Sequence, residues 1–260
     1  MKKTLIALAV AASAVVSGSA MAAWVDTGTG GVFNIGGVLT PKDRVTPWEA
    51  NVYPGLTSVN ANIEKGKAKV EIPLSKNVPV VSIRNREPAG FRGGEAKAAM
   101  VRISFGNAVD IDGFSAGVTQ IRLKVVDSAN SRELGTLTAP FFAGGLLSLD
   151  DNWRSLVASS ESALFWGGLG KSLPGIASAA DVKSTLTELA PDMLGTWKDS
   201  GRPAVISSNG TFELPEGIYR AVYGAGFKKD ARIAITLNAP LTGGTAVNWK
   251  AEFPITISYS

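Results

Sequence analysis

A chain of 260 residues with 45% hydrophobic content can bury the core of one sizeable β domain with insertions, or of two small domains. It has no cysteine and no histidine, so disulfide staples, Cys–His and Ser–His–Asp catalysis and the usual zinc ligands are all excluded. The formal net charge of +4 falls to about +2 without Lys2 and Lys3 (4 − 2), which gives no ground for a nucleic-acid partner.

Residues Met1 to Ala22 have the form of a secretory signal peptide. Lys2 and Lys3 supply the charged start, Leu5 to Val16 the apolar middle, and Ala20-Met21-Ala22 a small-x-small cleavage site. The apolar run is too short to span a bilayer. Ala23 to Gly31 is rich in Gly and Thr, and the segment after it reads V-F-N-I-G-G-V-L-T to Thr40. Phe33, Ile35, Gly37 and Leu39 fall on every second residue, which puts all four on one face of an extended strand.

Lys42 to Pro54 holds two prolines and Trp48, and predicts a loop or a short edge strand. Val70, Ile72 and Leu74 alternate with polar residues, and Pro73 marks that strand as an edge. Val78 to Ile83 is a further strand. Arg84 to Gly94, with three arginines and three glycines, predicts an exposed basic loop. Val101, Ile103 and Phe105 alternate, as do Ile121, Leu123 and Val125. A polar turn at Asp127 to Arg132 then returns the chain into Glu133 to Thr138 as a hairpin.

After Pro140 the pattern predicts two helices. Ser148, Asp150 and Asp151 resemble a helix start, with Leu156, Val157, Ser160 and Leu164 at helical spacing and Gly167-Gly168 as the stop. Ser178 and Asp181 resemble a second start, followed by Val182, Leu186 and Leu189 on one face. The predicted insertion covers about residues 141–202. Strands resume at Phe212 to Leu214, Ile218 to Tyr223, Arg232 to Leu237 and Val247 to Tyr259, where Phe253, Ile255, Ile257 and Tyr259 share a face. Short strands at this spacing predict an all-β sandwich with a small two-helix insertion.

No catalytic constellation stands out. Gly28 to Gly31 and Gly90 to Gly94 are not followed by a lysine-bearing helix start, so phosphate loops fail on context. No cofactor or metal is expected, and the chain is not read as an enzyme.

The sequence resembles the FaeG-type major fimbrial subunits and adhesins of enterotoxigenic Escherichia coli, which are chaperone–usher pilins. The resemblance rests on Met-Lys-Lys-Thr-Leu-Ile-Ala-Leu-Ala at the start, Asn34-Ile-Gly-Gly-Val-Leu-Thr40, Leu164-Phe-Trp-Gly-Gly-Leu169, and the tail Trp249 to Ser260. It implies an incomplete immunoglobulin-like sandwich that lacks its last strand. Residues 23–40 would be the donor strand extension and 41–260 the pilin domain. Phe33, Ile35, Gly37 and Leu39 would fill the groove of an identical neighbouring subunit. Phe253, Ile255, Ile257 and Tyr259 would pair with a periplasmic chaperone, whose basic cleft meets the Ser260 carboxylate. An outer-membrane usher would follow.

The same resemblance implies export through the periplasm to a cell-surface fimbria and binding of galactose-containing host glycolipid or glycoprotein through the insertion. There, Trp166 and Lys171 are the candidate contacts. A purely structural pilin without a receptor site and a small outer-membrane β-barrel are the alternative readings.

Overall fold

The computed structural model describes residues 35–40, 46–95, 100–150, 152–198, 202–203 and 207–260. The signal segment, Phe33 and Asp151 lie outside them. Two compact units divide at Lys42/Asp43. Of the first, residues 35–40 have no regular secondary structure, and Ile35, Val38 and Leu39 are almost fully exposed.

The described residues of the second unit contain thirteen strands. They are β1 (Trp48–Val52), β2 (Lys69–Pro73), β3 (Val78–Asn85), β4 (Phe91–Arg92), β5 (Val101–Ser104), β6 (Val118–Asp127), β7 (Glu133–Leu149), β8 (Asn152–Ser155), β9 (Arg202–Pro203), β10 (Ile218–Phe227), β11 (Arg232–Leu237), β12 (Trp249–Ala251) and β13 (Thr256–Tyr259). One α-helix, α1 (Ala179–Leu189), lies among the described residues between β8 and β9. The architecture is an all-β sandwich with a small helical insertion.

The sheet is organised around β7. Hydrogen-bonded neighbours run β1–β3–β10–β7–β11–β2. One edge of β7 takes β11 over Gly135 to Thr138 and then β10 over Phe142 to Leu149. Its other edge takes β6 over Glu133 to Phe142 and β8 over Leu146 to Leu149. β1 and β2 are edge strands, as the prolines around them predict. The interior is packed with aromatic rings: Phe105 lies 5.6 Å from Phe141, and Phe165 lies 5.3 Å from Tyr223. Burial pushes the Tyr223 phenol up, and its hydroxyl donates to Gly168 O at 3.1 Å.

Alternation along β7 and β10 is lost because both faces are covered. Phe141, Ala143 and Leu147 point into the main core, while Phe142 and Leu146 point outward under α1. On β10, Tyr223 and Ala221 face inward and Val222 faces the helix. A strand buried on both sides reads as a continuous apolar run, which periodicity cannot separate from a helix. α1 presses close enough that a Cβ on Gly224 would stand 2.5 Å from Leu186 Cδ2, and one on Gly144 would stand 2.8 Å from Val182 Cγ1.

Four expectations are corrected. The first predicted helix does not form: β7 continues to Leu149, Asp150 turns the chain with φ +49°, and β8 follows. Leu156 joins the sheet through its N–H, which donates to Gly145 O at 2.9 Å, and Leu164 is buried in the core. Among its described residues the insertion therefore carries one α-helix and short 3₁₀ turns. The Arg84 to Gly94 stretch is not simply an exposed loop. Arg84 and Asn85 close β3, and buried Phe91 forms β4 against β10. Phe212 to Leu214 is not a strand. The C-terminal strand is split in two around Pro254, which has no N–H for a ladder: β12 pairs with β6 and β13 with β5.

α1 itself forms as predicted. Ser178 caps it by accepting from the Asp181 N–H at 3.2 Å, while its hydroxyl donates to Asp181 Oδ2 at 2.6 Å. Val182, Leu186 and Leu189 are buried on one face against Met193 and Trp197.

Candidate functional site

Two regions carry the residues singled out from the sequence. The first is the C-terminal row. From Ala251 to Ser260, half-buried and exposed residues alternate, with Phe253, Ile255, Ile257 and Tyr259 on the half-buried face. Phe253 rests on Phe141 at 5.3 Å and Phe105 at 5.4 Å. β13 pairs antiparallel with β5 from Tyr259↔Val101 to Thr256↔Ser104, and among the described residues no other strand pairs with it. Burial raises the Tyr259 phenol, with the Arg86 charge acting against that rise.

An open groove lies elsewhere on the sandwich, and none of the row's four residues lines it. A cavity of about 580 Å³ lies over the inward-facing residues Val70, Ile72, Val125 and Ile235, and is also lined by Ile63 and Trp249. Residues 54–64 form no strand, yet Val59 packs against the main core. One side of the core is thus closed by half-exposed apolar side chains instead of a paired strand.

The second region is the turn at Phe165 to Gly168. It does not end a helix. Phe165 adopts φ +59° and is fully buried, 5.8 Å from Trp48, so it is a core residue. Gly167, at φ +82°, passes so close to β5 that a Cβ would stand 2.1 Å from Ile103 O. The Ile103 N–H donates to Trp166 O at 2.8 Å, which fastens the turn to β5. Trp166 is half-buried. The Lys171 ammonium lies 5.7 Å from the centre of its ring and pairs with Asp112 Oδ1 at 2.7 Å.

The structure thus brings Trp166 and Lys171 together and adds Asp112, which sequence reasoning missed. Asp112 lies between β5 and β6, about sixty residues upstream, and no local spacing could have linked it to the turn. Of the residues expected in the donor strand, Ile35 and Leu39 are exposed, and among the described residues nothing stands within 4 Å of a Cβ built on Gly36 or Gly37.

A strand pattern with an open edge, a helical insertion and an exposed apolar arm is the context in which the comparisons fall. The family model described as "Fimbrial, major and minor subunit" matches residues 1–260. The chain belongs to this family of fimbrial subunits. It is 28% identical over 296 residues to the K88 fimbrial protein AB of Escherichia coli, 26% over 296 residues to the F41 fimbrial protein, and 28% over 289 residues to the K88 fimbrial protein AC, both also of Escherichia coli. Each match covers all of both chains. The protein is a structural subunit that polymerises into fimbriae and is exported to the cell surface. It is not an enzyme, and the outer-membrane barrel reading falls with this assignment.

Proposed function

We propose that this subunit polymerises by donor-strand complementation and that the same chain mediates adhesion to host-cell glycans. The observation that carries the first part is that, among the described residues, β5 is the one strand that pairs with β13, beside a half-buried row. A strand edge over an apolar floor is what β-strand addition uses: main-chain hydrogen bonds supply affinity, and alternate side chains fill pockets. The arm offers the complementary half. Phe33, Ile35 and Leu39 are the plugs, and Gly37 lets the backbone lie flat where the groove is shallow. Burying three such side chains contributes roughly 5–9 kcal/mol before the cost of ordering the arm. Before assembly, a periplasmic chaperone occupies the same edge, with Ile255, Ile257 and Tyr259 as its contacts, and hands the subunit to the usher.

The deciding experiment deletes residues 23–40. The truncated subunit is expected to accumulate as a soluble chaperone complex and to form no multimers on unheated gels. Fimbriae assembled from the truncated chain would refute the donor assignment.

The adhesive part rests on the Trp166 face. A half-buried indole with Lys171 and Asp112 beside it offers a ring for the apolar side of a galactose unit and charged groups for its hydroxyls. Alanine at Trp166 or Lys171 is expected to lower binding to host glycolipid with fimbriae intact. A pilin that binds no glycan in any such assay would be purely structural.

A further inference from the structure

The groove of about 580 Å³ stands apart from both the C-terminal row and the Trp166 turn. Its size falls within the roughly 300–1,000 Å³ of small-ligand clefts. Its floor is recessed: Val125, Ile72 and Ile235 line it and are only 1%, 8% and 4% exposed. Half-buried Val70 and Trp249 add to the apolar surface.

One wall is the loop of residues 238–248 between β11 and β12, and backbone bonds fix it to three other segments. The Asn238 N–H donates to Leu134 O at 2.8 Å, the Gly66 N–H to Leu241 O at 3.0 Å, and the Ser128 N–H to Asn248 O at 2.9 Å. The wall is therefore preformed. It is bare at Gly243 and Gly244, which also line the groove. Among the described residues nothing stands within 4 Å of a Cβ built on Gly244, so no side chain blocks that stretch.

Three charged residues line the groove: Lys65, Arg132 and Glu133. Glu133 is already engaged. The Lys124 ammonium lies 2.9 Å from its carboxylate, and hydrogen bonding from Lys124, with a smaller contribution from Asn238, holds it below the usual carboxylate range. Lys65 and Arg132 are exposed and have no anionic partner among the described residues. The groove thus sets two uncommitted cations beside an apolar floor.

These features select the ligand by chemistry. A polar anion would leave the floor uncovered, and a neutral hydrocarbon would leave both cations unused. A molecule with an alkyl chain and a single anionic head satisfies both. Because the floor is recessed, a chain must leave a bilayer to reach it. We propose that this groove binds a free single-chain anionic amphiphile of the fatty-acid class, with its alkyl chain over Val70, Ile72, Ile235 and Trp249 and its carboxylate at Lys65 and Arg132. The proposal is independent of the donor-strand and adhesive readings.

The test uses assembled fimbriae at neutral pH and calorimetric titration with octanoate, decanoate and dodecanoate below their micelle concentrations. Saturable binding is expected at one molecule per subunit, tightening about fourfold for each added methylene that is buried. Dodecyltrimethylammonium, with the same chain and the opposite charge, is expected not to bind saturably. Lys65→Gln combined with Arg132→Gln, both on the exposed rim where folding is not at stake, is expected to weaken dodecanoate about fivefold. 11-Bromoundecanoate is expected to quench tryptophan fluorescence of the fimbriae, and Trp249→Phe to remove most of that quenching.

No saturable binding of any fatty acid, equal binding of the cationic amphiphile, or unchanged affinity in the double variant would each overturn the proposal. Two further arms separate other occupants. Vesicles containing phosphatidylglycerol are expected not to bind; binding to them that the double variant abolishes would make the site a membrane contact instead. Binding by the chaperone complex of a subunit lacking residues 23–40, but not by fimbriae, would show that a neighbouring subunit fills the groove, and would also overturn the proposal.

Discussion

The β7–β10 pair and the β5–β13 pair show what completeness means in this fold. Around β7 and β10 both faces are covered, the inner by the aromatic core and the outer by α1; β10 pairs with β7 from Phe142 to Leu149, and on the other edge of β7 β6 pairs up to Phe142 and β8 from Leu146. Around β13, β5 is the one strand that pairs among the described residues, and the row Phe253, Ile255, Ile257, Tyr259 is half-buried. The first region has satisfied its apolar surface within the chain. The second still presents apolar surface and backbone donors. On the proposed donor-strand reading, that difference separates the scaffold from the joint.

The largest test of this contrast is removal of the joint. Truncating Ile257 to Ser260 deletes most of β13, so β5 loses its only strand partner among the described residues. The subunit is expected to disappear from the periplasm by proteolysis, read by immunoblot; wild-type abundance would mean that β13 is dispensable. A second test attacks the complete region. Leu186→Ala removes a fully buried side chain between α1 and β10 and is expected to cost about 2–5 kcal/mol, seen as a lower melting temperature of assembled material. Polymers should still form, because the open edge is untouched.

A third test sharpens the joint itself. Gly37→Val is expected to stop assembly at the subunit–subunit step while leaving the melting temperature of the chaperone-bound subunit unchanged. Normal polymer from that variant would place the donor in another register. A smaller effect is expected at the edge of the insertion. Ser178→Ala removes the α1 cap and should cost about 1 kcal/mol in thermal denaturation. The smallest is Lys171→Ala. Its pair with Asp112 is largely exposed and worth at most about 1 kcal/mol, so stability should barely move while glycan binding falls.

Much of the sandwich was legible from alternation alone. Ile121, Leu123 and Val125, and likewise Ile233 and Ile235, have one face inside and one outside, so period two survives in the sequence. Helix α1 was legible for the same kind of reason: its cap is local, and its buried stripe lies within eleven residues. The C-terminal row was legible because its side chains alternate from Ala251 to Ser260 even though the strand is split.

Tertiary structure alone decided the rest. Residues 141–149 are apolar on both faces because a helix forty residues later covers the outer one, and that contact leaves no periodic trace in the strand. Leu156 and Leu164 keep helical spacing by coincidence, since each is buried through sheet and turn contacts with distant segments. Pro254 split the last strand only because its two halves had separate partners, β6 and β5, to pair with. The meeting of Asp112 with Trp166 and Lys171 joins positions more than fifty residues apart. Local sequence determines which residues alternate and where a helix can be capped. Which faces are covered, and by what, depends on long-range packing that short-range spacing does not encode.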